Sequence, residues 1–370
     1  SYGGEIHFTH EPTFSSSSLL NNYFPVFNEQ TKAWIRQFKK EHSLDEILSC
    51  LEKARNLKIL LIGDAIIDEY VYCEVIGRSL KESIPRVKYL STERFAGGVI
   101  AVANHLSGFC DNVTMVTVLG VGSENEVFIK NQLLSEVKPV FFRREDACTV
   151  VNKRIVRQAF FEKFFGIYEI DDAPIPTDVE TKICTNLNSL LSEHDLVIVM
   201  DYGFGLMTPT IIEKVVNKSN FLALNAQTNS VNLGFNLITK YKKADYVSAS
   251  VPELRMATNQ KFTPLNELAP LILNKLSLRM ITVTLGLSGS LSYDGKKLYI
   301  VPAFSTKVLD RVGAGDAYFA WSAPQVLLGV DPAIAGFFGN IAGGIAIDMI
   351  CNRKPVTTEA FLNFAKTLLK

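Results

Sequence analysis

Runs of apolar residues recur along the chain from residue 58 onward, and segments with helical spacing lie between them. The continuous apolar runs at residues 59–62, 113–118, 196–200, 221–224 and 280–283 predict strands that are covered on both faces. Helical spacing occupies residues 99–107, 125–134, 209–218 and 267–276. Strands that alternate with helices are typical of a doubly wound α/β fold, in which helices flank a mostly parallel sheet.

Two segments depart from this alternation. Residues 70–96 and 148–170 are β-rich and partly alternating, without a helical segment inside them. We therefore predict that they form a small antiparallel β flap at the edge of the main sheet. We expect the flap to close over a ligand or, through its aromatic cluster, to pair with a second subunit as a homodimer. The cluster consists of Phe160, Phe161, Phe164 and Phe165.

The first 56 residues have a different pattern. A serine tract at residues 15–18 lies between short mixed segments, and residues 31–57 have helical spacing with a break near His42 and Ser43. We predict two helices there. Residues 1–56 are interpreted as an N-terminal linker and helical extension, and residues 57–370 as the main domain. The extension either packs on that domain or connects it to a further domain upstream.

Composition narrows the class of protein. The chain has 370 residues, of which 47% are hydrophobic, and this excludes disordered and fibrous classes. Its 38 basic and 38 acidic residues cancel, so charge predicts neither nucleic-acid nor membrane binding. No apolar run reaches the length of a membrane helix. The six cysteines lie far apart, which is typical of reduced thiols in a cytoplasmic protein.

Two short polar motifs follow the first predicted strand and precede the first helix of the main domain. Asp64 and Asp68 are either a pair of carboxylates that hold the hydroxyls of a polyol or part of a capped turn. Gly97 and Gly98 either let the backbone approach a ligand closely or form a tight turn. Each motif alone is a weak indication of function.

A third motif is more specific. Residues 310–316 have the sequence Asp-Arg-Val-Gly-Ala-Gly-Asp and precede an apolar helix predicted over residues 317–323. A glycine-rich turn that opens a helix presents unpaired backbone N–H groups, which suit a phosphate in transfer. Asp316 stands where a carboxylate can accept the proton of an attacking hydroxyl. Because an ordinary helix start does not need two glycines, the motif favours a functional role.

Other known binding motifs are incomplete or missing in the sequence. Gly120-Val-Gly122 lacks the third glycine of a dinucleotide-binding fingerprint, and the chain contains no GxxxxGK[ST] sequence. The five histidines do not have the spacing of a metal site. We expect His105 to be a packed or capping residue.

In combination and in this order, the three motifs resemble those of the ribokinase-like (PfkB) carbohydrate kinases, over residues 58–370. Within that family the sequence is similar to the heptose-phosphate kinase domain of ADP-heptose synthesis enzymes. Residues 5–18 resemble the linker of bifunctional proteins that join a nucleotidyltransferase to such a kinase. The resemblance thus implies a ribokinase-like fold, and it suggests a covalently linked upstream nucleotidyltransferase.

The resemblance also implies a sugar or sugar phosphate as substrate, with ATP and Mg²⁺ as cofactors. It assigns the base to Asp316 and the anion hole to the backbone of Gly313, Ala314, Gly315 and Asp316. The implied sugar-binding residues are Asp64, Asp68, Gly97, Gly98, Asn104 and Arg154. The implied ATP-binding residues are Asn225, Thr284, Gly286, Gly289 and Asn340, and the implied metal-binding residue is Glu253.

Three positions depart from the family pattern. Ala101 and Ser250 stand where the family has asparagines that contact substrate and metal-bound phosphate. Arg311 stands where threonine or valine is common, and it either adds a cation beside the phosphate or faces solvent. The main hypothesis is an ATP-dependent sugar kinase. The alternatives are a kinase-derived domain that binds nucleotide or sugar without turnover, and a nucleoside kinase on the same fold.

Overall fold

The computed structural model describes residues 27–79, 81–305 and 307–370. The predicted linker at residues 5–18 and the serine tract lie outside these described residues. Within the described part of the chain, no helix combines the length and apolar character that crossing a membrane requires.

A large mostly parallel sheet forms the centre of the molecule, and a smaller sheet lies at its edge. The strands are β1 (Lys58–Gly63), β2 (Ala65–Arg78), β3 (Pro85–Gly98), β4 (Asn112–Val121), β5 (Val137–Cys148), β6 (Val150–Arg157), β7 (Glu162–Glu169), β8 (Leu196–Asp201), β9 (Leu222–Ala226), β10 (Tyr246–Ser250), β11 (Met280–Thr284), β12 (Ser290–Tyr293) and β13 (Leu298–Val301). The nine strands of the large sheet follow the order β13-β12-β11-β10-β9-β8-β1-β4-β5. Pairing is parallel from β5 to β11 and antiparallel from β11 to β13.

Helices cover both faces of this sheet. They are α1 (Glu29–Glu41), α2 (Leu44–Arg55), α3 (Val99–Ser107), α4 (Ser123–Gln132), α5 (Thr177–Glu193), α6 (Pro209–Lys218), α7 (Val251–Thr258), α8 (Leu265–Leu276), α9 (Ala314–Leu327), α10 (Pro332–Ala346) and α11 (Thr358–Leu369). Because side chains alternate along a strand, Ile59 and Leu61 of β1 join the core under α3, α9 and α10. Leu60 and Ile62 join the opposite core, under α5, α6 and α8. The predicted doubly wound architecture is confirmed.

The smaller sheet is the flap. Its strand order is β3-β2-β6-β7. The hairpins β2–β3 and β6–β7 are antiparallel, and the central pair β2–β6 is parallel, with Ile66 opposite Val150. Tyr70, Tyr72, Phe95 and Val156 form a small core of their own beneath it. Flap residues line a cavity together with residues at the carboxyl ends of the main strands, so the flap lies beside those ends.

The two predicted N-terminal helices are present and pack against the main body. Asn28 and Ser43 cap them, because each side chain accepts a hydrogen bond from a backbone N–H three residues on. Ser43 explains the break in helical spacing. Phe38 of α1 stacks on Phe337 of α10 at 4.6 Å between ring centroids, so α1 shares a hydrophobic core with the sheet.

Candidate active site

Two cavities meet at the carboxyl ends of the main strands. The first, of about 350 Å³, lies between the flap and the sheet and is lined by Asp68, Arg154 and Asp316, among others. The second, of about 460 Å³, lies between the loop after β11 and helix α10. Parallel strands direct their carboxyl ends to one edge, which is where α/β folds bind ligands.

Asp316 lies in the first turn of α9 and lines the first cavity. Tyr202 Oη and Gln227 Nε2 both donate hydrogen bonds to its Oδ1, each at 3.0 Å. Burial raises the pKa of Asp316 to about 6, assisted by the charge of Asp68 and opposed by the hydrogen bond from Tyr202. A carboxylate with this pKa is a stronger base than an exposed aspartate and is still ionised at neutral pH.

Gly313 immediately precedes α9 and requires glycine on two grounds. Its φ of +85° lies in the left-handed region. A Cβ there would also lie 1.9 Å from Asn352 Oδ1. The helix consequently begins at Ala314 rather than at the predicted residue 317, and its first amide groups have no carbonyl four residues back within the helix. These amides and Asp316 are brought together at one helix end, as the sequence predicted.

Asp68 lies on β2, opposite Phe95 of β3, and forms a short ion pair with Arg154 of β6. Both side chains line the first cavity. A Cβ on Gly97 would lie 2.4 Å from Asp68 Oδ2, so glycine there makes room for the carboxylate. Gly98, with φ of +56°, starts α3 and also lines the cavity.

Asp64 does not line the first cavity, contrary to the role that the sequence suggested. Its Oδ2 accepts hydrogen bonds from the backbone N–H groups of Tyr202 at 3.0 Å and Phe204 at 3.4 Å. Burial, together with the negative charge of Asp201, raises the pKa of Asp64 to about 7. Asp64 therefore holds the loop that carries Tyr202 and does not contact the cavity itself.

Asn104 is also placed away from both cavities. Its amide nitrogen donates to the carbonyl of Gln132 at 2.8 Å, and its oxygen accepts from the N–H of Leu134 at 3.1 Å. This position does not support the predicted contact with the sugar, because the side chain connects α3 to the end of α4. Ala101, earlier in α3, is likewise buried. His105 packs as expected, and its Nδ1 accepts from the N–H of Val356.

The residues predicted to bind ATP divide between the two cavities. Gly286, Gly289 and Asn340 line the second, and Thr284 lines both. Asn225 lines the first: its Nδ2 donates to the carbonyl of Ser248, while its buried Oδ1 has no partner among the described residues. An unpaired buried acceptor of this kind suits a ligand that donates a hydrogen bond.

Glu253 lines the first cavity from the start of α7. Its Oε2 accepts from the N–H of Ser250 and its Oε1 from the N–H of Thr228 at 3.2 Å. The N–H of Glu253 in turn donates a hydrogen bond to Oγ of Ser250, which completes a capping box. The serine that departs from the family pattern thus has a structural role.

Asp310 connects the flap to the loop before α9. Tyr70 Oη of β2 donates to its Oδ2 at 2.6 Å, and Lys163 Nζ of β7 lies 2.5 Å from its Oδ1. The N–H groups of Val312 and Cys351 supply two further hydrogen bonds. Burial alone would raise the pKa of Asp310, but the bonds from Lys163 and Tyr70 outweigh it and hold the pKa below its usual value.

Tyr202, Gln227 and Lys163 were not among the residues that the sequence predicted for the site. Tyr202 and Gln227 each follow a main-sheet strand by one residue, so the strand-end rule could have found them. Lys163 gave no such signal, because its partner Asp310 lies 147 residues away.

This geometry agrees with the comparison against known families. Residues 56–350 match the pfkB family of carbohydrate kinases. The chain belongs to this family. Its match begins just after α2 and includes both cavities, the flap and the loop before α9.

A curated relative agrees with that membership. The chain is 25% identical over 309 residues to the bifunctional protein HldE of Koribacter versatilis, covering 82% of this chain and 62% of the relative. It therefore spans about three fifths of the length of that curated relative.

Two solved structures have the same fold. Phosphofructokinase-2 from Escherichia coli in complex with fructose-6-phosphate has a TM-score of 0.68 at 15% identity, covering 85% of this chain and 100% of the other. Ribokinase from Thermotoga maritima has a TM-score of 0.65 at 18% identity, covering 84% and 99%. The predicted ribokinase-like architecture is confirmed.

Proposed function

We propose that the protein transfers the γ-phosphoryl group of ATP to a hydroxyl of a sugar phosphate, with a heptose phosphate as the favoured substrate. The observation that carries the proposal is Asp316, a buried carboxylate at a helix N-terminus that lines the first cavity. The sugar-phosphate class is supported by the Escherichia coli phosphofructokinase-2 complex with fructose-6-phosphate. The heptose preference rests on the sequence resemblance.

In the proposed reaction the sugar hydroxyl attacks the γ-phosphorus. A bond forms between the hydroxyl oxygen and phosphorus, the bond from phosphorus to the ADP oxygen breaks, and the hydroxyl proton passes to Asp316. Tyr202 and Gln227 both donate to Oδ1 of Asp316, so we assign the proton to Oδ2. The amides of residues 313–316 would stabilise the charge that develops on the phosphoryl oxygens.

The first cavity suits the sugar phosphate, and the second suits the nucleotide. In this assignment the Asp68 carboxylate accepts hydrogen bonds from sugar hydroxyls, and Arg154 holds that carboxylate in place. The glycines Gly286 and Gly289, both with positive φ, shape the loop beside the nucleotide. Asn340 is fixed by hydrogen bonds to Ser290 and Gly336 on the far wall.

Among the described residues, no three acidic, histidine or cysteine side chains are grouped as a metal site. A Mg²⁺ that enters on ATP phosphates needs few protein carboxylates. Glu253 fits this role because it lines the first cavity and each of its oxygens accepts one backbone hydrogen bond, which leaves further lone pairs. Bound there, Mg²⁺ would neutralise charge on the phosphates.

The deciding experiment is coupled ATP turnover with Mg²⁺ against hexoses, heptoses, their phosphates and a nucleoside, with Asp316→Asn as the variant. We expect turnover on a sugar phosphate and a loss of about 10²–10⁴ in kcat in the variant, because it lacks the base. ADP binding, measured by calorimetry, should be retained. Since the base must be ionised, wild-type kcat/KM should rise with pH through about 6.

Asp172→Asn is the matched control, because Asp172 is exposed and does not line either cavity. Near-full activity of Asp316→Asn would overturn the assignment of the base. ATP binding without turnover on the whole panel would favour a kinase-derived binding domain, in line with the buried Ala101. Turnover on the nucleoside alone would favour a nucleoside kinase.

A further inference from the structure

The two cavities share a short wall. Thr284, Arg311 and Gly315 line both of them. If the nucleotide occupies one cavity and the sugar phosphate the other, the phosphoryl group has to pass this wall. Arg311 is the charged residue of the three, and a guanidinium presents several N–H donors in a planar fork.

Two other cations of this region are already paired with carboxylates. Arg154, the other arginine of the first cavity, is paired with Asp68, and its guanidinium carbon lies 5.6 Å from the centre of the Tyr70 ring. Asp310, the neighbour of Arg311 in sequence, is occupied by Lys163 and three further hydrogen-bond donors. Arg311 is therefore not required to neutralise either carboxylate.

Arg311 itself is exposed. In residues 27–79, 81–305 and 307–370 its side chain forms neither an ion pair nor a hydrogen bond, unlike the cations Arg154 and Lys163 nearby. Three carboxylates, those of Asp68, Glu253 and Asp316, line the first cavity. An uncommitted guanidinium among them raises the local affinity for an anion.

We propose that Arg311 is a catalytic residue that donates hydrogen bonds to the oxygens of the γ-phosphoryl group as it crosses from ADP to the sugar hydroxyl. This inference rests on the proposed function. Arg311 takes no part in proton transfer: the proton goes to Asp316, and the electron pair of the broken bond stays on the ADP oxygen. Its donors act where charge is redistributed in the transition state, so they lower the barrier more than they strengthen substrate binding.

The test is steady-state kinetics of Arg311→Gln on whichever panel sugar the wild-type enzyme phosphorylates. We expect kcat to fall by about 10²–10³, with the KM for ATP and for the sugar changed by less than about threefold. Arg311→Lys keeps the charge without the planar fork, so its kcat should lie between those of wild type and Arg311→Gln. Guanidinium ion added to Arg311→Ala should restore part of the lost kcat.

Arg36→Gln is the control for loss of an exposed arginine, since Arg36 lies on α1 and lines neither cavity. An Arg311→Gln kcat within about threefold of wild type would overturn the inference alone, as would a loss confined to KM. The latter result would mean that Arg311 binds a ground-state phosphate. If wild type phosphorylates nothing on the panel, the proposed function fails and this inference fails with it.

Discussion

Asp64 and Asp316 are two buried carboxyl groups near the cleft whose pKa values are raised, to about 7 and about 6. Burial is the largest cause in both cases, but their surroundings differ. Asp316 lines the cavity and accepts from two side chains, whereas Asp64 accepts from two backbone N–H groups. Of the two, only Asp316 lines the cavity in which we place the substrate. Asp64 should therefore affect stability, and Asp316 should affect the reaction.

Asp64→Asn should make stability less dependent on pH. The folded protein retains the Asp64 proton up to about pH 7, while the unfolded chain releases it near 3.8. Between these values the folded state holds more protons, so wild-type stability falls as pH rises, by an amount on the order of a few kcal/mol. Asparagine does not ionise, so it removes the free-energy cost of deprotonating a buried carboxyl group. Its side-chain oxygen can still accept a hydrogen bond from the N–H of Tyr202.

Urea unfolding of both proteins at about pH 5 and about pH 8 tests this. The variant should gain stability relative to wild type at the higher pH. Asp172→Asn, an exposed aspartate, should show no such change. A difference between variant and wild type that is the same at both pH values would contradict the prediction.

Sequence pattern identified Gly313 and Asp316 because both are constrained locally, by backbone conformation and by the helix end. It identified the Asp68–Arg154 region through the resemblance. It could not place the side chain of Asn104, because the face of α3 on which a side chain lies decides its partners, and only tertiary packing fixes that face. The partners of Asp316 lie 114 and 89 residues away, so no local pattern contains them.

At the scale of elements, the important connection is the one from the flap to the loop before α9. The Asp310 carboxylate accepts hydrogen bonds from Tyr70 of β2 and Lys163 of β7. The chain runs from Asp310 through two residues to Gly313, which precedes α9. The Lys163 ammonium also lies 5.0 Å from the centre of the Tyr70 ring. We therefore expect a displacement of the flap to displace the backbone amides of the proposed anion hole.

Lys163→Met should lower kcat by about 10-fold to 10²-fold, because small displacements of catalytic groups reduce rate steeply. We also expect a loss of stability that grows toward neutral pH. Lys163 helps hold the pKa of Asp310 below its usual value, and such a contribution is present above the unfolded pKa and is lost in acid. Kinetics and urea unfolding measure the two effects.

Lys297→Met is a matched control. Lys297 Nζ lies 5.1 Å from the centre of the Tyr299 ring, a cation–π contact like that of Lys163 with Tyr70, but it is remote from Asp310. Its kcat should remain at the wild-type value. Unchanged kcat in Lys163→Met as well would show that the flap and the loop act independently.

Long apolar runs predicted five main strands because burial on both faces leaves an unbroken hydrophobic pattern. Strand β10 was not predicted, since its sequence Tyr-Val-Ser-Ala-Ser places hydroxyl groups inside the sheet. Strands β12 and β13 have only four residues each, and short edge strands carry little periodic signal. Their recognition depends on the pairing of β12 with β11 and of β13 with β12, which is a tertiary property.

At the scale of the whole molecule, the flap presents an exposed apolar surface. On the distal part of the β2–β3 hairpin, Ile76 and Tyr89 are 64% and 62% exposed, and Phe165 on β7 is 55% exposed. All of the first eight residues of β3 are exposed. Several large apolar side chains exposed on one small sheet suit a contact between proteins. We propose that it is the dimer contact that the aromatic cluster suggested.

Light scattering should give twice the mass of the chain for wild type and the mass of one chain for Tyr89→Glu. A buried, unpaired charge at a symmetric contact appears twice and strongly disfavours association. Phe262→Glu is the control, because Phe262 is 87% exposed but lies in the loop between α7 and α8. A wild-type monomer at working concentration, or a dimer of Tyr89→Glu, would rule out this contact.

The packing of α1 shows that the family match and the hydrophobic core begin at different residues. The family match starts at residue 56, but Trp34 and Phe38 form an aromatic stack with Phe337 of α10. A protein cut at the family boundary would lose the cover over Phe337, which is fully buried in the intact fold. The residues that share this hydrophobic core therefore extend beyond the N-terminal end of the family match and include residues of α1 and α2.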